Sequence, residues 1–600
     1  MKTSKYIVII ILFLTKTSIA LQAQDTILNR NISVEREYRP VIQDAGKINL
    51  IPRILEPKTE KSPAQYSDFN LPLNADYNIH TFPAAELTAD KISDKGGFAR
   101  IGFGTYLNTL VDASYLLINK PDMLLNITLN HGGTLEANRF HTSTKTDVSF
   151  QKQFKKLDFY AGLGGSHEYL RYYGDTYNRN GISDFNTLKV YGNPGYTEVN
   201  RTDINTNSQP VLLYDLLNQS ADDTFWRFNT VVGLHSLTLS KEMEYAAEVG
   251  YNLFSSINGL TEHQIHTKAG FSLPSDNNRL GLDMDIYNFF YNSVKIQSFN
   301  YLNTYSVLNL NPYYTFLHEQ WNVRVGAKTA FVVGKENVFY PTADVRAEWK
   351  LLPKLLTLYG GLTGGYQLNS QDKVLAENPY LYSDLRVNDT YSPYNLYVGF
   401  KVKPIYNLLV DAYVDFQKFN NQYFFVNKEY KPLSSSLPIS AADSSLFSNR
   451  FNVIYKSATL LKVGLRATYS LQDILNVELK GAYNGWNVAD EQHAWNKPTY
   501  EATLNVSYKI DNSFTVIMNT YYEGGRFARL MKLNNLTNIY EYVAVPMGDK
   551  VDINLGLNYC YDKQFSAFAK INNIFNSLYQ NFYGYDLQGI NFMLGGSVTF

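Results

Sequence analysis

From about residue 98 to the C-terminus, apolar and polar positions alternate with a period of two. Met243, Tyr245, Ala247, Val249, Tyr251 and Leu253 interleave with Glu244, Ala246, Glu248, Gly250 and Asn252. Trp321, Val323, Val325, Ala327 and Phe331 do so with Asn322, Arg324, Gly326 and Lys328, and Val551, Ile553, Leu555, Leu557 and Tyr559 with Asp552, Asn554, Gly556 and Asn558. Successive side chains of a strand point to opposite faces, so each run predicts a strand with one apolar and one polar face. Helical periodicity is sustained nowhere for long, and the fold class expected is all-β.

Turns separate a soluble sandwich from a membrane barrel. Short polar connections occur at 119–122, 155–156, 240–242, 275–278, 318–320, 353–354, 472–473, 511–513 and 562–564. Between many of them lie two strands joined by a longer, irregular segment, the largest being 172–224, 368–392 and 428–449. Short turns at one end and long loops at the other predict a transmembrane antiparallel β-barrel of about 22 strands (20–22), with the short turns in the periplasm. The least regular predicted strands are the first hairpin, "FARIGFGTYLNTLVDASYLL", and the one flanking Pro404.

The chain ends in such a strand. Ile590, Phe592, Leu594, Gly596, Val598 and Phe600 fall on one side, and Asn591, Met593, Gly595, Ser597 and Thr599 on the other. A terminal strand without a polar tail would be an aggregation-prone edge, unless it pairs with the first strand and closes a barrel. Phe592, Leu594, Val598 and Phe600 resemble the C-terminal assembly signal that outer-membrane insertion machinery recognises.

The other terminus reads as a secretion signal. Lys2 and Lys5 precede an apolar run from Tyr6 to Leu14 and then small residues, which predicts cleavage after Ala23, leaving Gln24 first, with Ala20 the second choice. The signal holds no cysteine, which argues against a lipid anchor, and no later apolar stretch is long enough for a transmembrane helix. Residues 24–97 are proline-rich with little periodicity, so they are expected to run as an irregular periplasmic or lumenal segment. A disordered linker and a partial plug or docking strand remain equally open. The expected organisation is therefore signal 1–23, segment 24–97 and barrel 98–600.

Composition sharpens this picture. Aromatic residues reach 15%, with 48 Tyr and 35 Phe, charged residues only 18%, and the formal net charge is −1. That balance offers no basic face for nucleic acid. Mean hydropathy is slightly negative, as a barrel with a polar lumen allows. The clusters 287–292, 421–427 and 576–585 fit aromatic girdles at the membrane interfaces.

Candidate chemistry is sparse. The single cysteine, Cys560, permits no internal disulfide, and no His or basic residue beside it would lower its pKa. None of the nine histidines lies in a zinc-binding helix motif, and His263 and His266 fall on opposite faces of a strand. Ser166 and His167 are mere sequence neighbours. Asp283 with Asp285, and Asp411 with Asp415, share a face. With Arg324, Lys328, Glu244, Glu248, Glu478 and Lys480 they read as a hydrated wall of mixed sign. No catalytic residue, metal ligand or cofactor site is expected, and the ligand is unknown.

The stretch "FSAFAKINNIFNSLYQNFYGYDLQGINFMLGGSVTF" (565–600) resembles the C-terminal strands of TonB-dependent receptors, with "NNIFN" leading through an aromatic loop to a closing strand. "VEREYRPVIQDAGKINLIP" (35–52), "VDFQKFNNQYFFVN" (414–427) and "EQHAWNKPTYEATLNVSYKI" (491–510) are similar to a Bacteroidota group of such receptors. The resemblance covers most of the chain after the signal. It implies a non-enzymatic barrel in the outer membrane of a Gram-negative cell, transporting an unidentified nutrient or solute. Outer-membrane lipid and the barrel-assembly machinery are the implied partners, with a surface lipoprotein or periplasmic partner as further candidates. The chain departs from the family in that residues 24–97 are too short for the usual plug domain and show no TonB-contact segment. A non-transporting platform for other envelope proteins is the other reading.

Overall fold

The computed structural model describes residues 96–600 apart from 137–138, 175–186, 193–194, 201–221, 238–242, 258–259, 276–277, 294–303, 336–337, 383–384, 386, 430–446, 535–536 and 538. Ala23 and Gln24, nearly all of 24–97, most of 172–224 and 428–449, and the turn at 240–242 lie outside the described residues.

Twenty-two strands form one closed antiparallel sheet, running from Gly97–Gly104 to Asn591–Thr599, each paired with the next barrel strand along the chain. The last strand pairs back onto the first, Phe98 opposite Thr599 through Gly104 opposite Met593. Phe600 takes part as well: Gly97 N donates to Phe600 O at 2.8 Å and Phe600 N to Gly97 O at 2.9 Å. A Cβ on Gly97 would overlap the Phe600 ring, so glycine makes the seat for that side chain. The strand series thus matches the expected barrel, including its first hairpin and the strand Thr390–Ile405 around Pro404. Proline cannot donate to a ladder, and the register there shifts between Val402 and Ile405.

The outward face is apolar and exposed in the isolated chain, as at Val249, Val325, Leu396, Val398, Leu461, Val463 and Leu557. Such a face is suited to lipid contact. Inward positions are polar, and inward tyrosines lie across glycines of the adjacent strand, as Tyr160 does at Gly233 and Tyr359 at Gly399. Among the described residues no helix is long and apolar enough to cross a membrane.

Three aromatic clusters differ from the girdles expected of them. In 287–292, Phe289 is buried and Tyr287 and Tyr291 pack against its cluster, and only Phe290 of the four rings is exposed. In 421–427 both faces are covered, Tyr423 and Phe425 entering one cluster and Phe424 and Val426 another. In 576–585, Tyr579, Phe582 and Tyr585 are buried while Leu578 is exposed. For the second cluster the reason is strand length. Leu408–Glu429 has 22 residues and Phe447–Leu471 has 25, against the ~9–11 that cross a membrane, so they run past the rim and are covered there by loops.

Candidate functional site: a capped polar lumen

The lumen wall is built from the inward half of each strand. Arg279 pairs with Glu244 at 2.9 Å, His266 with Asp285 at 3.2 Å and Lys480 with Glu478 at 3.0 Å. Asp344, 1% exposed, receives Arg324 at 3.1 Å and Arg346 at 2.9 Å, and Arg324 also reaches Asp283 at 3.3 Å. Tyr160 and Tyr359 donate to Glu248 and Asp411, at 2.5 and 2.6 Å. The charged residues singled out in the sequence therefore form a wall of mixed sign. Asn395 donates to Asp415 at 3.4 Å, so the two aspartates of 411–415 have separate partners.

At the end of the barrel bearing the long connections, one of them packs inward as a cap. Residues 368–389, which join Leu356–Gln367 to Thr390–Ile405, contain helix α1 (Gln371–Glu377), capped by Ser370, whose side chain accepts from Lys373 N. Glu262 Oε2 accepts from Gln371 N at 2.8 Å, and Arg227 donates to Asp372 at 2.6 Å and to Glu168 at 2.7 Å. At the other end of the helix, Lys497 meets Glu377 at 2.5 Å. Arg227 is on the sixth strand and Lys497 follows the seventeenth, half a turn apart in a ring of 22, so the seven-residue α1 is held from opposite sides of the mouth.

A dry core lies beside the helix. Val374, Leu375, Tyr380, Leu381, Phe425, Phe451, Phe582 and Tyr585 are buried together, and Tyr380 stacks on Tyr585 at 3.5 Å. Tyr382 N donates to Phe451 O and Phe451 N to Tyr380 O, both at 2.9 Å, tying the segment to the sixteenth strand. Burial pushes the Tyr380 and Tyr585 phenols well above their ordinary range, as expected where water is excluded.

Beneath the cap, a cavity of about 330 Å³ opens on the wall between the strands Tyr305–Leu317 and Leu408–Glu429. Its lining includes Asn309, Asn311, Lys328, Thr363, Ser392, Asn395 and Gln417, with the rings of Tyr340 and Tyr366. Tyr366 also donates to Asp389 at 2.9 Å, which accepts Asn369 N at 2.9 Å, so the cavity adjoins the base of the cap.

The cap and the cavity are not evident from the sequence, where 368–392 reads as a solvated loop. The available signal is the density of Leu, Val and Tyr in 374–387 and of aromatics in 579–585. Of the C-terminal residues singled out, Phe592, Leu594 and Phe600 are exposed, Val598 is half-buried, and Phe600 lies over Tyr115 at 6.1 Å. Cys560 is exposed, and among the described residues no group of three or more His, Cys, Asp or Glu could hold a metal ion.

Solved barrels are similar in fold. The ferric enterobactin receptor of Pseudomonas aeruginosa is 11% identical, covering 85% of this chain and 81% of that one, with a TM-score of 0.54. The FrpB iron transporter of Neisseria meningitidis is 9% identical over 85% and 82%, with a TM-score of 0.57. A copper transporter, OprC, is 12% identical over 85% and 81%, with a TM-score of 0.56. No protein-family model and no curated protein sequence matches the chain. At these identities the likeness is one of fold alone: the chain forms a closed 22-stranded antiparallel barrel, as those proteins do.

Proposed function

We propose that the protein resides in the outer membrane and passes a solute through a lumen closed at rest by its own external loops. The observation that carries this reading is a polar, ion-paired lumen under a cap held only by non-covalent contacts. The similar barrels, described as iron and copper transporters and a ferric enterobactin receptor, support it. Single-channel recording in planar bilayers tests it: the intact chain is expected to stay mostly closed, and a variant lacking residues 371–388 to conduct steadily. If both that variant and a second lacking 26–90 fold, as judged by faster gel mobility unheated than boiled, yet neither carries current, the transport reading fails. The second variant separates the contribution of the N-terminal segment, since a current gained only there would assign closure to a partial plug.

The second reading, a platform for other envelope proteins, is favoured by the dryness of the cap and predicts no current from any of the three. Phe600 is proposed as part of an assembly signal for the barrel-assembly machinery. Deleting it is expected to lower outer-membrane levels far more than Thr599→Ala, and equal levels by fractionation would retire that role.

A further inference from the structure

The cavity beneath the cap is framed by broken ladder. The register shifts between Thr363 and Gly365 on one strand and between Tyr391 and Tyr394 on the next. Pro393 sits in the second shift and has no N–H to give, so the ladder is interrupted and the wall bends there. Bulges of this kind re-aim side chains, and here they bring Thr363, Ser392 and Asn395 to one concavity.

Its polar groups are neutral with one exception. Lys328 is already engaged, with Gly364 O at 3.4 Å and Asp344 at 3.9 Å, and no carboxylate belongs to the lining. Asn395 is 1% exposed, and its Oδ1 is buried without a hydrogen-bond partner, an expensive arrangement unless a donor is supplied. Tyr340 and Tyr366 stack on each other at 4.9 Å, with Tyr391 at 4.7 Å from Tyr340, and both stacked rings belong to the lining. A volume of about 330 Å³ is at the small end of ligand pockets, which run from about 300 to 1,000 Å³.

We propose that this cavity is a binding subsite for a neutral, hydroxyl-rich solute of about one sugar ring, its hydroxyls meeting Asn395, Thr363 and Gln417 and its apolar face meeting the tyrosines. The proposal rests on the transport reading for its place in a pathway, but not for binding itself.

Titration of the full chain in nanodiscs with D-glucose, D-galactose, D-mannose and myo-inositol, read by saturation-transfer NMR and calorimetry, tests it. Binding of at least one in the millimolar range is expected, with glucose 6-phosphate no tighter than glucose. Asn395→Leu should weaken binding about tenfold, the equivalent of one hydrogen bond at about 1.4 kcal/mol. Thr363→Val keeps the side-chain shape and should weaken it severalfold while leaving gel mobility unchanged. No binding by any of the four, tighter binding of the phosphate, or unchanged affinity in both variants would overturn the subsite. Current without sugar binding removes the subsite and leaves transport standing; sugar binding without current does the reverse.

Discussion

The cap and the lumen wall draw on the same residue types and use them oppositely. On the wall, charged groups pair along the same or neighbouring strands, and those around Glu478 are partly wet: Lys480 is 30% exposed and Arg466 is 35% exposed, whereas Asp344 between Arg324 and Arg346 is 1% exposed. In the cap, Glu377 and Lys497 meet at 11% and 8% exposure among buried rings. Between Glu478 and Glu377, a second layer over the strand makes the difference. Where loops cover it, both faces of 421–427 become interior, and a charge there depends on its partner rather than on water.

The largest effect is expected from Phe451→Asp, which puts a carboxylate in the cap core where Phe451 is 0% exposed. The cost should reach several kcal/mol, about 4 or more. Currents should rise while the barrel keeps its melting temperature, and a barrel that unfolds with the cap would show that the two are one cooperative unit. Next comes Glu377→Ala, which removes the carboxylate facing Lys497 and should destabilise the cap by about 3 kcal/mol. Hydrogen exchange of residues 371–382 reads this, and the double variant with Lys497→Met should recover part of the loss. The smallest is Glu478→Gln on the wall, expected below about 1 kcal/mol because its partners remain hydrated. A loss as large as that of Glu377→Ala, measured by thermal melting, would erase the distinction between the regions.

Much of the barrel is legible because alternation and short turns are local signals. Val323, Val325 and their polar neighbours declare a two-faced strand without reference to the rest of the chain. The lumen charges follow from the same parity. The cap is not legible, because Arg227 and Asp372 are 145 positions apart, and Glu377 and Lys497 are 120 apart. Alternation also misleads once both faces are covered, which is why Phe424 and Phe425 read as a girdle. The cavity depends on where the ladder slips, and its local traces are Pro393 and the Gly364–Gly365 pair.

The pairing of Gly97 with Phe600 has a consequence for timing. The seam joins the two ends of the barrel sequence through seven residue pairs, so one of its partners is the barrel strand made last. Bringing such distant ends together costs entropy that grows only logarithmically, about 5–6 kcal/mol for a loop of about 500 residues. The rest of the sheet can zip from hairpin to hairpin, whereas the seam cannot begin until that strand has been synthesised. Completion of the ring is therefore a built-in check that every strand has been made: a prematurely ended chain presents its first strand with nothing to meet.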